Sequence, residues 1–156
     1  MSTEIERKFL IINDNWKRSV YETTDYIQGY FNTNKDCSIR IRIANNTASI
    51  NIKSATLGIH RSEYDYPVPV NDAKEMLEHL CIKPLIEKTR YKLKFENHMW
   101  EIDVFYGENK GLLVAEIELD SIDEQFSKPD WAGDEVSDDP RYYNVCLVDN
   151  PYKNWC

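Results

Sequence analysis

The chain has 156 residues, of which 42% are hydrophobic and 29% charged, enough for one domain spanning 1–156 with a real core. Its formal charge of −8, from 27 acidic and 19 basic side chains, argues against a nucleic-acid binder, which would carry a basic face. It leaves room for a small anionic partner held by a local basic cluster. No apolar run nears the roughly 20 residues that span a bilayer, and the start MSTEIERKF lacks a signal-peptide core, so a cytoplasmic location with no membrane partner is expected. Cys37, Cys81, Cys146 and Cys156 are scattered and read as free thiols. His60, His79 and His98 lie far apart, with no serine or cysteine hydrolase motif beside them.

Period-two alternation dominates and predicts strands at 3–12, 26–33, 37–45, 48–54, 59–67, 86–96, 99–106 and 112–120. Turn residues separate them: Asn45-Asn46, Gly58, Asn97-His98 and Gly107 to Gly111. Short connections between consecutive strands favour an antiparallel sheet. Asp14 is placed to cap a short helix through Trp16, Lys17 and Val20. A second helix is expected over 72–81, capped by Asn71 or Asp72, with Ala73, Met76, Leu77 and Leu80 on one face. A third is expected to start at Ser137, with Pro140 near its first turn, to run through Tyr142, Tyr143, Val145, Cys146 and Leu147, and to end at Asn150-Pro151.

The alternating residues carry more information than the alternation. In Ile39-Arg40-Ile41-Arg42-Ile43 the arginines take one face and the isoleucines the other. Glu4, Glu6 and Lys8 oppose Ile5, Arg7 and Phe9, and Asn51 and Lys53 oppose Ile50 and Ile52. Arg61, Glu63 and Asp65 share a face, as do Lys88, Arg90 and Lys92. Glu101 and Asp103 form a further pair, and Glu116 and Glu118 another. Such charges fit the solvated face of an ordinary sheet or the wall of a polar cavity, and alternation alone does not separate the two. The repetition of like charge along single strands (Glu4/Glu6, Arg40/Arg42, Glu116/Glu118) favours the cavity. Side chains two apart on a strand sit roughly 7 Å apart and converge. Paired carboxylates want a cation and paired arginines want an anion, which together describe a metal–polyphosphate complex.

Glu4-Ile5-Glu6-Arg7-Lys8 fits the E-x-E-x-K signature that opens proteins of the CYTH or triphosphate tunnel metalloenzyme family. The rest of the pattern follows in order. Arg40-Ile41-Arg42 resembles R-x-R, and Ile52-Lys53-Ser54 the lysine strand after it. Residues 58–65 resemble G-x-x-R-x-E-x-E, and Glu87-Lys88-Thr89-Arg90 is similar to E-K-x-R. Asp103-Val104-Phe105, Gly107, Gly111-Leu112 and Glu116-Ile117-Glu118 resemble D-x-F-x-G…G-L…E-x-E. Gly133 to Ser137 and Arg141-Tyr142-Tyr143-Asn144 look like the C-terminal segment of short bacterial members. Asp65 stands where glutamate is usual, Asn51 where threonine is frequent, and Ser137 where threonine is usual.

The resemblance implies a mainly β fold: a closed eight-stranded antiparallel barrel whose lumen is a tunnel, with helices packed outside and a C-terminal helix. The charged faces would then point inward and nearly neutralise one another. The implied activity is metal-dependent hydrolysis of inorganic triphosphate to pyrophosphate and phosphate, with Mg²⁺ or Mn²⁺ as cofactor. Lys8, Arg40, Arg42, Lys53, Lys88 and Arg90 would hold phosphate oxygens, with Arg61 assisting and Lys92 further out. Glu4, Glu6, Glu116 and Glu118, with Asp103 and Glu63, would hold metal, while Glu63 and Asp65 alternatively orient the arginines. Tyr30, in Gln28-Gly29-Tyr30, either faces the lumen or packs beside it. A nucleoside or thiamine triphosphatase and a class IV adenylate cyclase share the scaffold, and a non-catalytic polyphosphate-binding module is the rival of another class. The protein would act as a monomer or homodimer.

Overall fold

The computed structural model describes residues 2–32, 34, 36–54 and 60–155. Gly58, Thr33 and Cys156, used in the expectations above, lie outside them, as does the first residue of the strand expected over 59–67. The strands are β1 (Ser2–Ile11), β2 (Val20–Tyr30), β3 (Cys37–Ala44), β4 (Thr47–Ser54), β5 (His60–Val68), β6 (Ile82–Phe95), β7 (His98–Phe105), β8 (Leu113–Glu118) and β9 (Ala132–Glu135). The helices are α1 (Val70–His79) and α2 (Cys146–Asp149). Among the described residues no helix is long and apolar enough to cross a membrane. Cys37 and Cys81 are free thiols.

Every strand pairing is antiparallel, and the order β5-β4-β3-β2-β6-β7-β8-β1 closes on itself. Closure depends on β1, whose Ser2–Ile5 half pairs with β5 while Glu6–Leu10 pairs with β8. The result is the expected eight-stranded barrel, with no free edge between its members. The ninth strand, β9, joins β1 beyond its contact with β5, at Phe9 and Ile11. Its sequence, Ala-Gly-Asp-Glu, is too short to show an alternation. Tight reversals fall where the chain tolerates positive φ, as at Asn45 (52°) between β3 and β4 and at Gly111 (99°) before β8.

The two faces of the strands explain the three apolar clusters. Outward-facing Phe9, Leu93, Trp100, Ile102, Ala115 and Ile117 pack under Trp16, Phe126 and Trp131. Outward-facing Ile41, Ile43 and Ala48 pack under Ala73 and Leu77 of α1. The third cluster is inside the barrel. Leu10, Ile86, Phe105 and Val114 share strand faces with Lys8, Lys88, Asp103 and Glu116, and they pack against Tyr142, Tyr143, Val145, Leu147 and Val148. The C-terminal segment therefore fills one end of the lumen, and the cavity is blind there.

Several local expectations are corrected. Strand β2 begins at Val20, not near 26, because Glu22 to Gln28 continue the ladder with β6. Asp14 precedes only a five-residue 3-10 turn, Asn15–Ser19, and makes no side-chain cap. Helix α1 starts two residues early, after Pro69, and neither Asn71 nor Asp72 supplies a side-chain cap. Leu80 is 64% exposed, since it lies just past the helix end and off its buried face. The C-terminal helix is replaced by a 3-10 turn, Pro140–Tyr142, and the four-residue α2. Asp139 caps the first of these by accepting a hydrogen bond from the Arg141 N–H. A continuous helix is not formed; the segment is instead divided among core filling, a turn and contacts with Lys8 and Lys88.

Leu147 is fully buried in the inner cluster. Leu147→Ala should therefore cost about 2–5 kcal/mol of unfolding free energy, measured by urea denaturation. A cost below about 1 kcal/mol would mean that the segment does not belong to the core.

Candidate active site

The open part of the lumen is a cavity of about 690 Å³, mouth included. It brings together twelve of the thirteen expected site residues: Glu4, Glu6, Lys8, Arg40, Arg42, Lys53, Arg61, Glu63, Lys88, Arg90, Glu116 and Glu118. Glu101 lines it too, as its strand face required, and Tyr30 both lines it and packs into the inner apolar cluster. Asp103 is the exception. It is buried on the inward face beneath Lys88 and Arg90, accepting hydrogen bonds from Lys88 Nζ (2.8 Å) and from Arg90 Nε and Nη2 (2.8 and 2.9 Å). Asp65 is exposed at the rim, and Lys92 turns to Glu22 at 3.1 Å, so neither lines the cavity. Sequence reasoning missed Ser38, Tyr143, Asn144 and Val145. The strand alternation placed Ser38 on the arginine face, and the Arg141 to Asn144 motif was the signal for the others.

Register explains the convergence. Lys8 lies opposite Glu116 across β1 and β8, and Arg90 lies opposite Asp103 across β6 and β7. Glu4 lies opposite Arg61, and Lys53 opposite Glu63. Lys8 Nζ stands 3.6 Å from Glu116 Oε1 and 3.3 Å from the Tyr142 carbonyl oxygen it bonds. Arg61 pairs with Glu6, and Lys53 Nζ lies 3.1 Å from Glu4 Oε2. Arg40 and Arg42 differ from the rest. Their Nε atoms donate to Asn51 Oδ1 (2.9 Å) and Gln28 Oε1 (3.1 Å), and among the described residues neither forms an ion pair.

Like charges are grouped, and their ionisation records it. Burial, then Arg40 and Arg90, pushes Arg42 down to about 9. Burial, then Arg40 and Arg61, pushes Lys53 down to about 8. Lys88 falls to about 7 through burial and the nearby Arg90 and Arg42, against the pull of Asp103. The carboxylates show the mirror effect. Burial and the Glu63 carboxyl raise Glu4, while burial with Glu4, Glu6 and Glu101 raises Glu118. Burial also raises Glu101, with Glu116 and Asp103 adding to it against Arg90. Where cations are close the sign reverses: although burial works against it, Arg61 with Lys53 and Lys8 holds Glu6 down at about 2. Asp103 is likewise held at about 2 against burial by Arg90 and Lys88.

The acidic side of the cavity fits a hard divalent cation. Its donors are carboxylate oxygens, three of them pushed toward protonation, and Glu4 Oε2 is buried without a hydrogen bond of sound geometry. Among the described residues no three carboxylates gather at one point, because Glu4 and Glu6 are engaged by Lys53 and Arg61.

A closed antiparallel barrel whose lumen is lined by carboxylates and cations together defines a tunnel-barrel fold. The CYTH domain family matches residues 2–143, and the chain belongs to it. A protein of Acetivibrio thermocellus named inorganic triphosphatase is 50% identical over 155 residues, covering 99% of both chains. One of the same name from Nitrosomonas europaea is 35% identical, covering 94% of this chain and 97% of its own. A crystal structure of an inorganic triphosphatase superposes with a TM-score of 0.67 at 33% identity, covering 95% of each chain.

The depressed lysines set a pH dependence. A lysine whose folded-state pKa lies below its unfolded value of 10.5 binds fewer protons when folded, so stability rises with pH between the two values. The ligand-free, metal-free protein should gain urea resistance from about pH 7 to about pH 9, and Lys88→Met should remove much of that gain. Below about pH 4.5 the sign is set by Glu6, whose stabilisation fades as pH falls toward about 2. A flat midpoint between neutral and mildly alkaline pH would contradict the crowding of cations.

Proposed function

We propose that this chain hydrolyses inorganic triphosphate to pyrophosphate and phosphate, as a single-domain cytoplasmic enzyme dependent on Mg²⁺ or Mn²⁺. The carrying observation is unmet charge of both signs: Arg40 and Arg42, which form no ion pair among the described residues, share one cavity with carboxylates that repel one another. A polyphosphate with its metal relieves both sets at once. The names and near-complete coverage of the two relatives support the same reading. The densely charged lining suits an inorganic chain better than an organic ring, which needs apolar walls.

Arg40, Arg42, Lys53, Lys88, Arg90 and Lys8 would bind the phosphate oxygens and take up charge as the bridging P–O bond breaks. Glu4, Glu6, Glu63, Glu116 and Glu118 would hold the cation, which would supply Lewis-acid chemistry to the phosphate chain and to an attacking water. Asp103 would act from behind, fixing Lys88 and Arg90 through the bonds described above. Arg61 holds Glu6 and approaches Glu4 (3.7 Å), orienting carboxylates more than binding substrate. The alternative that Glu63 only orients arginines is weakened by its contact with Glu4, a carboxylate pair that a cation would settle.

Phosphate release should be seen with tripolyphosphate and Mg²⁺ or Mn²⁺, and should stop with EDTA. Glu116→Gln keeps the size of the side chain and removes its charge, so kcat should fall by roughly 10²-fold or more. Arg42→Ala should raise KM as well as lower kcat. Both variants are first shown to be folded, because unpairing a buried charge can cost about 3–5 kcal/mol. A folded Glu116→Gln protein with near-normal metal-dependent turnover would remove Glu116 from the metal site.

A further inference from the structure

Two motifs take no part in the mechanism above: Gln28 beside Tyr30, and Asn144 after the paired tyrosines. The fold brings them together at the floor of the cavity. Gln28 Nε2 donates to Asn144 Oδ1 at 2.9 Å, and Lys88 Nζ donates to the same oxygen at 2.9 Å. At its other end Gln28 accepts from Arg42 Nε at 3.1 Å. The amide orientations follow from the ends of this chain of bonds. Lysine and arginine only donate, so Arg42 must meet an oxygen of Gln28 and Lys88 an oxygen of Asn144. That leaves the Gln28 amino group to bridge to Asn144. Gln28 is fully buried.

The cations at this floor are ordered by neutral groups. Arg42 lies over the Tyr26 ring at 4.3 Å from its centroid, and Arg90 and Lys88 stand 5.2 and 5.8 Å from it. Arg40 is held by the buried Asn51 amide. One carboxylate, Asp103, serves both Lys88 and Arg90. Elsewhere in the cavity cations meet carboxylates directly, as Arg61 meets Glu6.

We propose that Gln28 and Asn144 are positioning residues that orient the phosphate-binding cations Arg42 and Lys88 through neutral hydrogen bonds, adding no negative charge beyond Asp103 to compete with the substrate. A carboxylate at 144 would accept the same two bonds more strongly and would compete with the incoming phosphate, whereas one at 28 would keep the bond from Arg42 but lose the donation to Asn144. The arrangement exchanges stability for binding, since crowded cations with few counter-charges weaken the empty protein. The proposal rests on a polyphosphate being the ligand of this cavity.

It predicts opposite signs for two measurements on near-isosteric variants. In Asn144→Asp, which keeps both bonds it accepts, the ligand-free protein should gain thermal stability by about 3 °C or more, while Gln28→Glu, which gives up its donation to Asn144, is read by affinity. Tripolyphosphate affinity, read by calorimetry in metal-free buffer, should fall by roughly ten-fold or more, and in turnover KM should rise more than kcat falls. A residue that merely seats the C-terminal segment would leave affinity unchanged in the isosteric variant. Tyr26→Phe should keep wild-type affinity and Tyr26→Leu should lose it, because only the first retains the aromatic face. Unchanged affinity in folded Gln28→Glu and Asn144→Asp overturns the proposal, as does a loss of stability in Asn144→Asp. Failure of both to fold also overturns it, because these cations would then not accept the carboxylate. The stability readings need neither substrate nor turnover, so a wild-type protein that binds tripolyphosphate without hydrolysing it strikes the proposed activity and leaves this inference standing.

Discussion

Crowding of like charge inside a closed barrel is the constraint on which the rest of this structure depends. Taking an ion out of water costs several kcal/mol even after relaxation, and a like-charged neighbour adds to that cost. Here burial and mutual repulsion drive Lys88, Lys53 and Arg42 toward the neutral form and Glu4, Glu101 and Glu118 toward protonation. An open sheet would relieve that strain by letting side chains swing into solvent. The closed ladder from β5 round to β1 prevents it, because backbone hydrogen bonds fix where each side chain starts. The opposing free energy comes from three apolar clusters, each large side chain contributing about 1.5–3 kcal/mol on burial.

Strand β1 carries more of this architecture than any other single segment. It pairs with β5, β8 and β9, and its alternate residues serve different ends. Glu4, Glu6 and Lys8 enter the cavity while Phe9 enters the outer core. Arg7, also outward, is clasped by Glu135 at 2.9 Å and lies over Phe126 at 4.9 Å. The Lys8 backbone N–H donates to Ser137 Oγ, and its carbonyl accepts from Val136. The segment that leads into the floor of the cavity is thus fastened to the strand that supplies its first lysine. Ser137 itself donates to Glu135, which joins that fastening to the Arg7 clasp.

The barrel and most of its charged lining were legible because strand periodicity has only two phases, and a charged residue in one phase fixes its neighbours at i±2. Arg40 and Arg42, or Glu116 and Glu118, had to share a face, and they do. Periodicity does not say whether that face is wet or enclosed, so the inward direction came from the repeated like charges and the family pattern. Asp103 shows a second limit: its face was right, but the bonds from Lys88 and Arg90 that withdraw it from the cavity depend on the register between β6 and β7. The C-terminal segment shows a third. The spacing of Tyr142, Tyr143, Val145 and Leu147 suits a helix, yet these residues fill an irregular end whose shape is set by Leu10, Ile86, Phe105 and Val114. No local rule contains that shape. Strand β9 was hidden because four residues with a central glycine and aspartate carry no phase.

The apolar floor also acts on the charges above it. Along four strands the inward face changes from charged to apolar within two residues: Lys8 to Leu10, Lys88 to Ile86, Asp103 to Phe105 and Glu116 to Val114. Lys88 sits at that boundary, with its ammonium 5.4 Å from the centroid of the Phe105 ring and almost no exposed surface. Water cannot screen it from that side, so each interaction it makes is stronger than it would be at the mouth. This is why its pKa falls so far despite Asp103 at 2.8 Å, whereas Lys92, four residues along the same face but partly in solvent and paired with Glu22, is raised. The C-terminal segment that seals the floor therefore does two things at once. It supplies part of the core that keeps the barrel closed, and by excluding water it strengthens the field with which the deepest cations meet an anion.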